Sequence, residues 1–233
     1  MTSRHFFNDV PLDVAGEPTA PRAVIVIQEA FGVNDHIRDV TDRFAQAGYY
    51  AVAPELFHRG GSPEIDYDNF PDAMAAMAAI NAEGITHDLE AASDFLKAAG
   101  FNSASTGIVG YCMGGTVTFY AATRDLVGAA ASFYGGGIEA GRFGFPPLLE
   151  LAPQLRAPWI GLYGDLDKGI PVEQVEALRI AAASSHHETI IVRYPDADHG
   201  FHCDGRPAVF NSDDAVDAHR RTLEFFSAHL ESR

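Results

Sequence analysis

Sulfur is scarce in this sequence. Its 233 residues hold two cysteines, Cys112 and Cys203, too few for a disulfide scaffold, so the reducing interior of a cell is the expected compartment. Positive charge is scarce too: 16 Lys and Arg face 32 Asp and Glu, a net charge of -16. That balance disfavours nucleic acid and anionic membranes as partners. It leaves room for a small anionic ligand, because one local arginine overrides the global sign at contact distance. No apolar run is long enough to span a bilayer, and Met1 to Asp9 carry no apolar core of signal-peptide length. There is no internal repeat, low-complexity tract or linker. A single domain over residues 1–233 is expected, cytoplasmic and monomeric, with a small homo-oligomer as the alternative.

What the chain does have is alternation. The arm up to Pro21 is rich in turn formers and reads as a surface segment with at most one edge strand. Ala23 to Ile27 is a β-branched run suited to a strand buried on both faces. Asn34 is placed to cap a helix ending before Gly48, with Ile37, Val40, Phe44 and Ala47 on one face. Tyr50 to Ala53 is a short strand closed by Pro54, and Glu55 to Pro71 a loop. Helices follow over Ala73–Ala82 and Ile85–Ala99, the latter ended by Gly100. Gly128 to Tyr134, Trp159 to Tyr163 and Thr189 to Tyr194 read as strands, and Gly141 to Pro158 as a loop. Val172–Ala183 and Ala215–Leu230 read as helices, the last turning Leu223, Phe226 and Leu230 inward. This order implies right-handed crossovers and a mostly parallel sheet with helices on both faces, an α/β architecture.

One stretch stands apart. Thr106 to Tyr111 is of strand type, turns at Cys112, and continues into a helix-compatible run from Met113. Gly110-Tyr111-Cys112-Met113-Gly114 is a G-x-Nuc-x-G elbow with cysteine as the nucleophile. Such a turn is strained, and its glycines let neighbouring backbone pass close by. The sulfur then sits at a helix N-terminus, where the dipole and free N–H groups favour a thiolate and a developing oxyanion.

A thiolate nucleophile wants a base and a group to orient that base. Both have candidates just past strand ends, where ligands bind in such sheets. Gly164-Asp165-Leu166-Asp167 follows one strand, and Pro195-Asp196-Ala197-Asp198-His199 follows another. From the residues alone, Asp165 and Asp167 compete for the acid role. Among ten histidines, His199 directly follows a strand and turn. His202 is its rival, and a His199/His202 pair is a weak metal candidate without a third zinc-spaced ligand. His58, His87, His186, His187, His219 and His229 read as solvated.

With these residues assembled, the chain resembles the dienelactone hydrolase family of the α/β-hydrolase fold. Gln28-Glu29-Ala30-Phe31-Gly32 is similar to its Q-E-x-F-G motif, and Ala53-Pro54-Glu55-Leu56-Phe57 to A-P-[DE]-L-[FY]. Gly110 to Gly115 matches G-[FY]-C-x-G-G, and Gly164 to Pro171 matches G-x-x-D-x-x-[VI]-P, which places the acid at Asp167. His199-Gly200-Phe201 with Arg206-Pro207, and Arg221 to Phe226, resemble the C-terminal signature. The resemblance implies a Cys112–His199–Asp167 triad that opens a small lactone or ester through a thiol acyl-enzyme, with no cofactor or metal. It implies that Glu29 takes the thiol proton when substrate binds, and that the backbone N–H groups of Met113 and Ala30 hold the oxyanion.

The pocket departs from the family pattern of two carboxylate-binding arginines. Gly60 to Glu90 contains no Arg or Lys, and Cys203 occupies the second position, with Arg206 three residues on. Arg59 and Arg206 are the candidate substrate cations, with Tyr111 and Phe31 as candidate lining. Three alternatives therefore stand: an esterase of different range, a non-catalytic binding protein on the same scaffold, and a thiol redox or metal protein built on Cys112 and Cys203.

Overall fold

The computed structural model describes all 233 residues. Eight strands form one sheet: β1 (Ser3–Phe7), β2 (Val10–Ala15), β3 (Arg22–Ile27), β4 (Tyr49–Pro54), β5 (Thr106–Tyr111), β6 (Ala129–Phe133), β7 (Trp159–Gly164) and β8 (Thr189–Tyr194). Their order across the sheet is β1-β2-β4-β3-β5-β6-β7-β8. From β3 to β8 every neighbouring pair is parallel, and β1 and β2 add an antiparallel edge. The helices are α1 (Asp35–Gln46), α2 (Phe70–Ala79), α3 (Ala82–Ala98), α4 (Met113–Ala121), α5 (Leu148–Leu151), α6 (Val172–Ala182) and α7 (Ser212–His229).

Local signals account for most boundaries. The Asn34 side chain accepts the Ile37 N–H at 3.2 Å and starts α1. Asn69, Asn81 and Asn211 cap α2, α3 and α7 in the same way. The inward stripe of α7 is Ala215, Ala218, Thr222, Phe225 and Phe226. Phe226 and Leu230 are buried as expected, while Leu223 packs against the core only half-buried. In α1, Ile37, Val40 and Phe44 are buried as expected, but Ala47 is exposed beyond the last turn. A four-residue helix, α5, interrupts the stretch read as loop.

The larger correction is the N-terminal arm. Strand β2 is buried throughout and pairs with β4, Leu12 opposite Pro54 and Ala15 opposite Ala51. Pro11 and Asp13 break its apolar pattern and hide it from sequence. Asp13 is tolerated inside because Arg38 of α1 approaches it at 3.5 Å.

The sheet order reverses direction between β3 and β5: from β3 the chain steps to β4 on one side and later to β5 on the other. A crevice opens at the carboxyl ends of strands at such a switch. Ile27 pairs with Gly110, so two residues beyond each, Glu29 and Cys112 emerge at the same level. Tyr111 pairs with Phe133, which brings Tyr134 to that level as well.

Candidate active site

The site is built from the ends of β3, β5, β6, β7 and β8. Cys112 has φ 54° and ψ -117°, a conformation costly for any residue with a Cβ. It persists because the surroundings over-determine it. Its N–H donates to the Phe133 carbonyl at 3.1 Å, and α4 begins at Met113. Gly110 and Gly114 make room for the turn: a Cβ on Gly110 would meet the Gly114 carbonyl oxygen at 2.1 Å.

Asp167 is buried in the turn after β7. Its Oδ1 accepts the N–H of Gly169 at 2.8 Å and of Ile170 at 3.2 Å, which fixes the carboxylate. Its Oδ2 lies 2.6 Å from His199 Nδ1. Asp165 faces the other way and takes a bidentate pair from Arg193, both contacts at 2.7 Å. The two aspartates that competed in sequence are thereby separated by partner. The second nitrogen of His199 is left to the cavity, an opening of about 370 Å³ lined by Cys112, His199, Met77, Ile138, Arg142 and Ile170 among others. Burial lowers the His199 pKa, but the charge of Cys112 and the bonds to Asp167 and Cys112 outweigh it and raise it to about 10.

Glu29 is buried at the end of β3. Its Oε1 accepts the Tyr134 hydroxyl at 3.1 Å, and its Oε2 has no protein partner. The Tyr134 ring lies 5.0 Å from that of His199, so one side chain bridges the carboxylate and the imidazole. Burial first, and then Glu29, hold the Tyr134 phenol well above its ordinary pKa. Tyr134 carries φ 39°, the positive value that turns its ring inward after β6. A Phe-Tyr pair at a strand end gave no sequence signal for this role.

The substrate-binding candidates fare unevenly. Arg59 is drawn off by Asp88, which it grips at 2.8 and 2.9 Å. It lines a separate cavity of about 830 Å³ that contains neither Cys112 nor His199. Asp88 is fully buried and His58 and His87 also reach it, so the Arg59 charge is spent in a closed cluster around this carboxylate. Tyr111 is likewise displaced from the cavity: it is fully buried, 4.6 Å from Phe133 and 4.9 Å from His202 between ring centres. Arg206 lies over the Phe31 ring at 5.6 Å, beside Gly200, and Phe31 packs with Ala30, Ile65 and Ala73.

The cation that does line the Cys112 cavity is Arg142, in the loop after β6. Its guanidinium packs near Gly136 and over Phe143, and no carboxylate pairs with it. It lay in a stretch read as featureless loop, far from either family position, so nothing local marked it. The histidines also need correction. His202 is fully buried, and neither ring nitrogen has a partner. His219 buries its Nδ1 against Phe44 rather than facing solvent. His199 and His202 do not face a common point, since His199 turns to Asp167 and His202 to Tyr111.

The profile of the dienelactone hydrolase family matches residues 13–230. This chain belongs to that family. Within the dienelactone hydrolases it is 37% identical over 209 residues to an Escherichia coli O157:H7 protein named "Putative carboxymethylenebutenolidase", covering 88% of this chain and 76% of that one. A Synechocystis protein of the same name is 34% identical over 231 residues, covering 94% and 93%. A crystal structure from Klebsiella pneumoniae, titled as that of a "Putative Dienelactone Hydrolase", superposes with a TM-score of 0.85 at 32% identity, covering 98% of this chain and 99% of that one. The family assignment makes this chain an α/β-hydrolase acting on ester bonds. No helix is long and apolar enough to cross a membrane.

Proposed function

We propose that this chain hydrolyses a small carboxylate-bearing ester or enol-lactone through a Cys112–His199–Asp167 triad. The observation that carries the reading is the imidazole of His199, fixed by Asp167 at 2.6 Å and sharing one cavity with the Cys112 sulfur. In this reading the free Oε2 of Glu29 is the acceptor for the thiol proton. The Cys112 thiolate adds to the ester carbonyl, and the N–H groups of Met113 and Ala30 hold the oxyanion. Met113 opens α4, so its N–H has no acceptor within the helix. His199 protonates the departing alkoxide, leaving an acyl thioester on Cys112. His199 then takes a proton from water, whose oxygen attacks the thioester and frees the thiolate. No step calls for a cofactor or metal.

The acyl thioester is the testable intermediate. A His199→Asn variant given an activated ester accumulates one acyl group, located on Cys112 by peptide mass spectrometry. A wild-type chain that turns over such esters while Cys112 never carries the adduct would remove the covalent step. A chain that binds lactones without reacting would be a binding protein.

Arg142 is the group this reading assigns to the substrate carboxylate. A hydrogen bond to a charged group contributes about 1.5–3 kcal/mol, so Arg142→Ala raises KM for an anionic ester by roughly 10- to 100-fold. The KM of a neutral ester of the same shape stays within about twofold. Equal losses on both esters would show that Arg142 serves the loop and not the ligand.

A further inference from the structure

Beside the Cys112 cavity lies a set of buried polar groups of which ester hydrolysis uses only one. Glu29, His36 and Cys203 are all buried, and one donor atom from each lies within 4.8 Å of the others. They come from three separate places: the end of β3, the first turn of α1 and the loop after His199. Two of them are incompletely satisfied. Glu29 Oε2 and His36 Nε2 are enclosed and have no protein partner. Orphaned buried polar atoms are uncommon in native interiors, and two of them converging on a thiol want a common explanation.

The surrounding bonds orient these groups as ligands are oriented. His36 Nδ1 lies 2.9 Å from Asp204 Oδ1, which places the ring proton on Nδ1 and turns the Nε2 lone pair inward. Asp204 is itself held by Arg43 at 2.6 Å. The Tyr134 hydroxyl occupies Glu29 Oε1 and leaves Oε2 free. The Cys203 sulfur lies 3.2 Å from the Tyr67 hydroxyl.

The surface next to His36 carries the right sign for a cation. An open cleft of about 480 Å³ is lined by His36 and Tyr67 and edged by Asp35, Asp39, Glu64 and Asp66, with Arg43 as its one cation.

We propose that Glu29, His36 and Cys203 form a binding site for zinc, a borderline-soft divalent cation that accepts one carboxylate oxygen, one imidazole nitrogen and one thiolate. Zinc bonds of about 2.0–2.3 Å require donors roughly 3.3–3.8 Å apart, so the three side chains close by about 1 Å through small rotations. Water or the Tyr67 hydroxyl completes the tetrahedron. The thiol proton of Cys203 leaves to solvent as the zinc–sulfur bond forms, so uptake weakens as pH falls. Zinc here also takes the carboxylate of Glu29 away from Cys112 and inhibits hydrolysis. That consequence rests on the function proposed above, but the binding does not.

The test uses the full chain carrying Cys112→Ser, which leaves Cys203 as its sole thiol. It is incubated with zinc chloride or cobalt chloride, desalted and measured for metal and absorbance. The site predicts one equivalent of retained zinc and a thiolate-to-cobalt charge-transfer band that only Cys203 can supply. Asp204→Asn, which leaves all three ligands in place, lowers zinc affinity by at least about tenfold. Cys203→Ser abolishes the band, with metal-free thermal melts checking that the variant folds. No retained metal, a cobalt complex without thiolate charge transfer, or zinc held only when Cys112 is present would each overturn the proposal.

Discussion

Cys112→Ala lowers ester turnover by on the order of 10⁴-fold or more, because nucleophile loss in such sites removes the covalent route entirely. Cys203 does not substitute. It is fully buried, and burial together with Glu29 pushes its thiol up to about 12. The same variant has a second readout. The Cys112 charge is the largest of the influences that raise His199 to about 10, so its removal lowers the His199 pKa toward the ordinary 6.5. Imidazole NMR titration measures this directly. Stability follows the same sign. A histidine raised in the folded state contributes stability that is fully present below about 6.5 and is lost as pH rises through about 10. In Cys112→Ala that loss moves to lower pH, and thermal melts across this window record it. Retained turnover, or a His199 titration unmoved by the substitution, would place the chemistry elsewhere.

Gly110→Ala is expected to cost more than roughly 4 kcal/mol and to yield little soluble protein, although it adds one methyl group far from solvent. The position is the last but one of β5, paired with Ile27 on one side and Ser132 on the other. A Cβ there would sit 2.1 Å from the Gly114 oxygen, 2.4 Å from its carbonyl carbon and 2.5 Å from Thr118 Oγ1. Two of these atoms are backbone of α4, which cannot step aside. Moving α4 outward would pull Gly114 from the β3 end, where a Cβ on it would meet the Ile27 and Gln28 carbonyl oxygens at 2.5 and 2.6 Å. Interior packing leaves no slack for either shift. Chemical denaturation of whatever material folds measures the cost. A midpoint near that of the unsubstituted chain would mean the elbow is looser than its contacts indicate.

These two results divide what local sequence encodes from what it does not. The alternation of apolar strand runs with amphipathic helices marks an α/β sheet, and glycine spacing around Cys112 marks a tight strand-to-helix turn. Both are short-range properties, set by backbone sterics and by side-chain period within a few residues. Strand β2 escaped because Pro11 and Asp13 break its apolar run, and the Arg38 that faces Asp13 lies in another element. Asp165 and Asp167 are chemically identical residues that only the family motif separated in sequence, and the approach of Arg193 to one and His199 to the other separates them in space.

The same limit applies to the cations and the histidines. Arg59 and Arg142 are both loop arginines beside glycines. One is consumed by Asp88 and the other lines the Cys112 cavity, an outcome decided by which carboxylates the folded chain brings near. His36 caps no motif and has no chemical neighbour in sequence, yet folding turns it onto Glu29 and Cys203. The amino-acid order by itself determined the element types, their succession and the strand-end loops that hold the reactive groups. The tertiary structure alone decided which of those groups meet, because charge pairing, desolvation and line of approach are properties of distance in space, and the chain carries them only after the sheet has set its register.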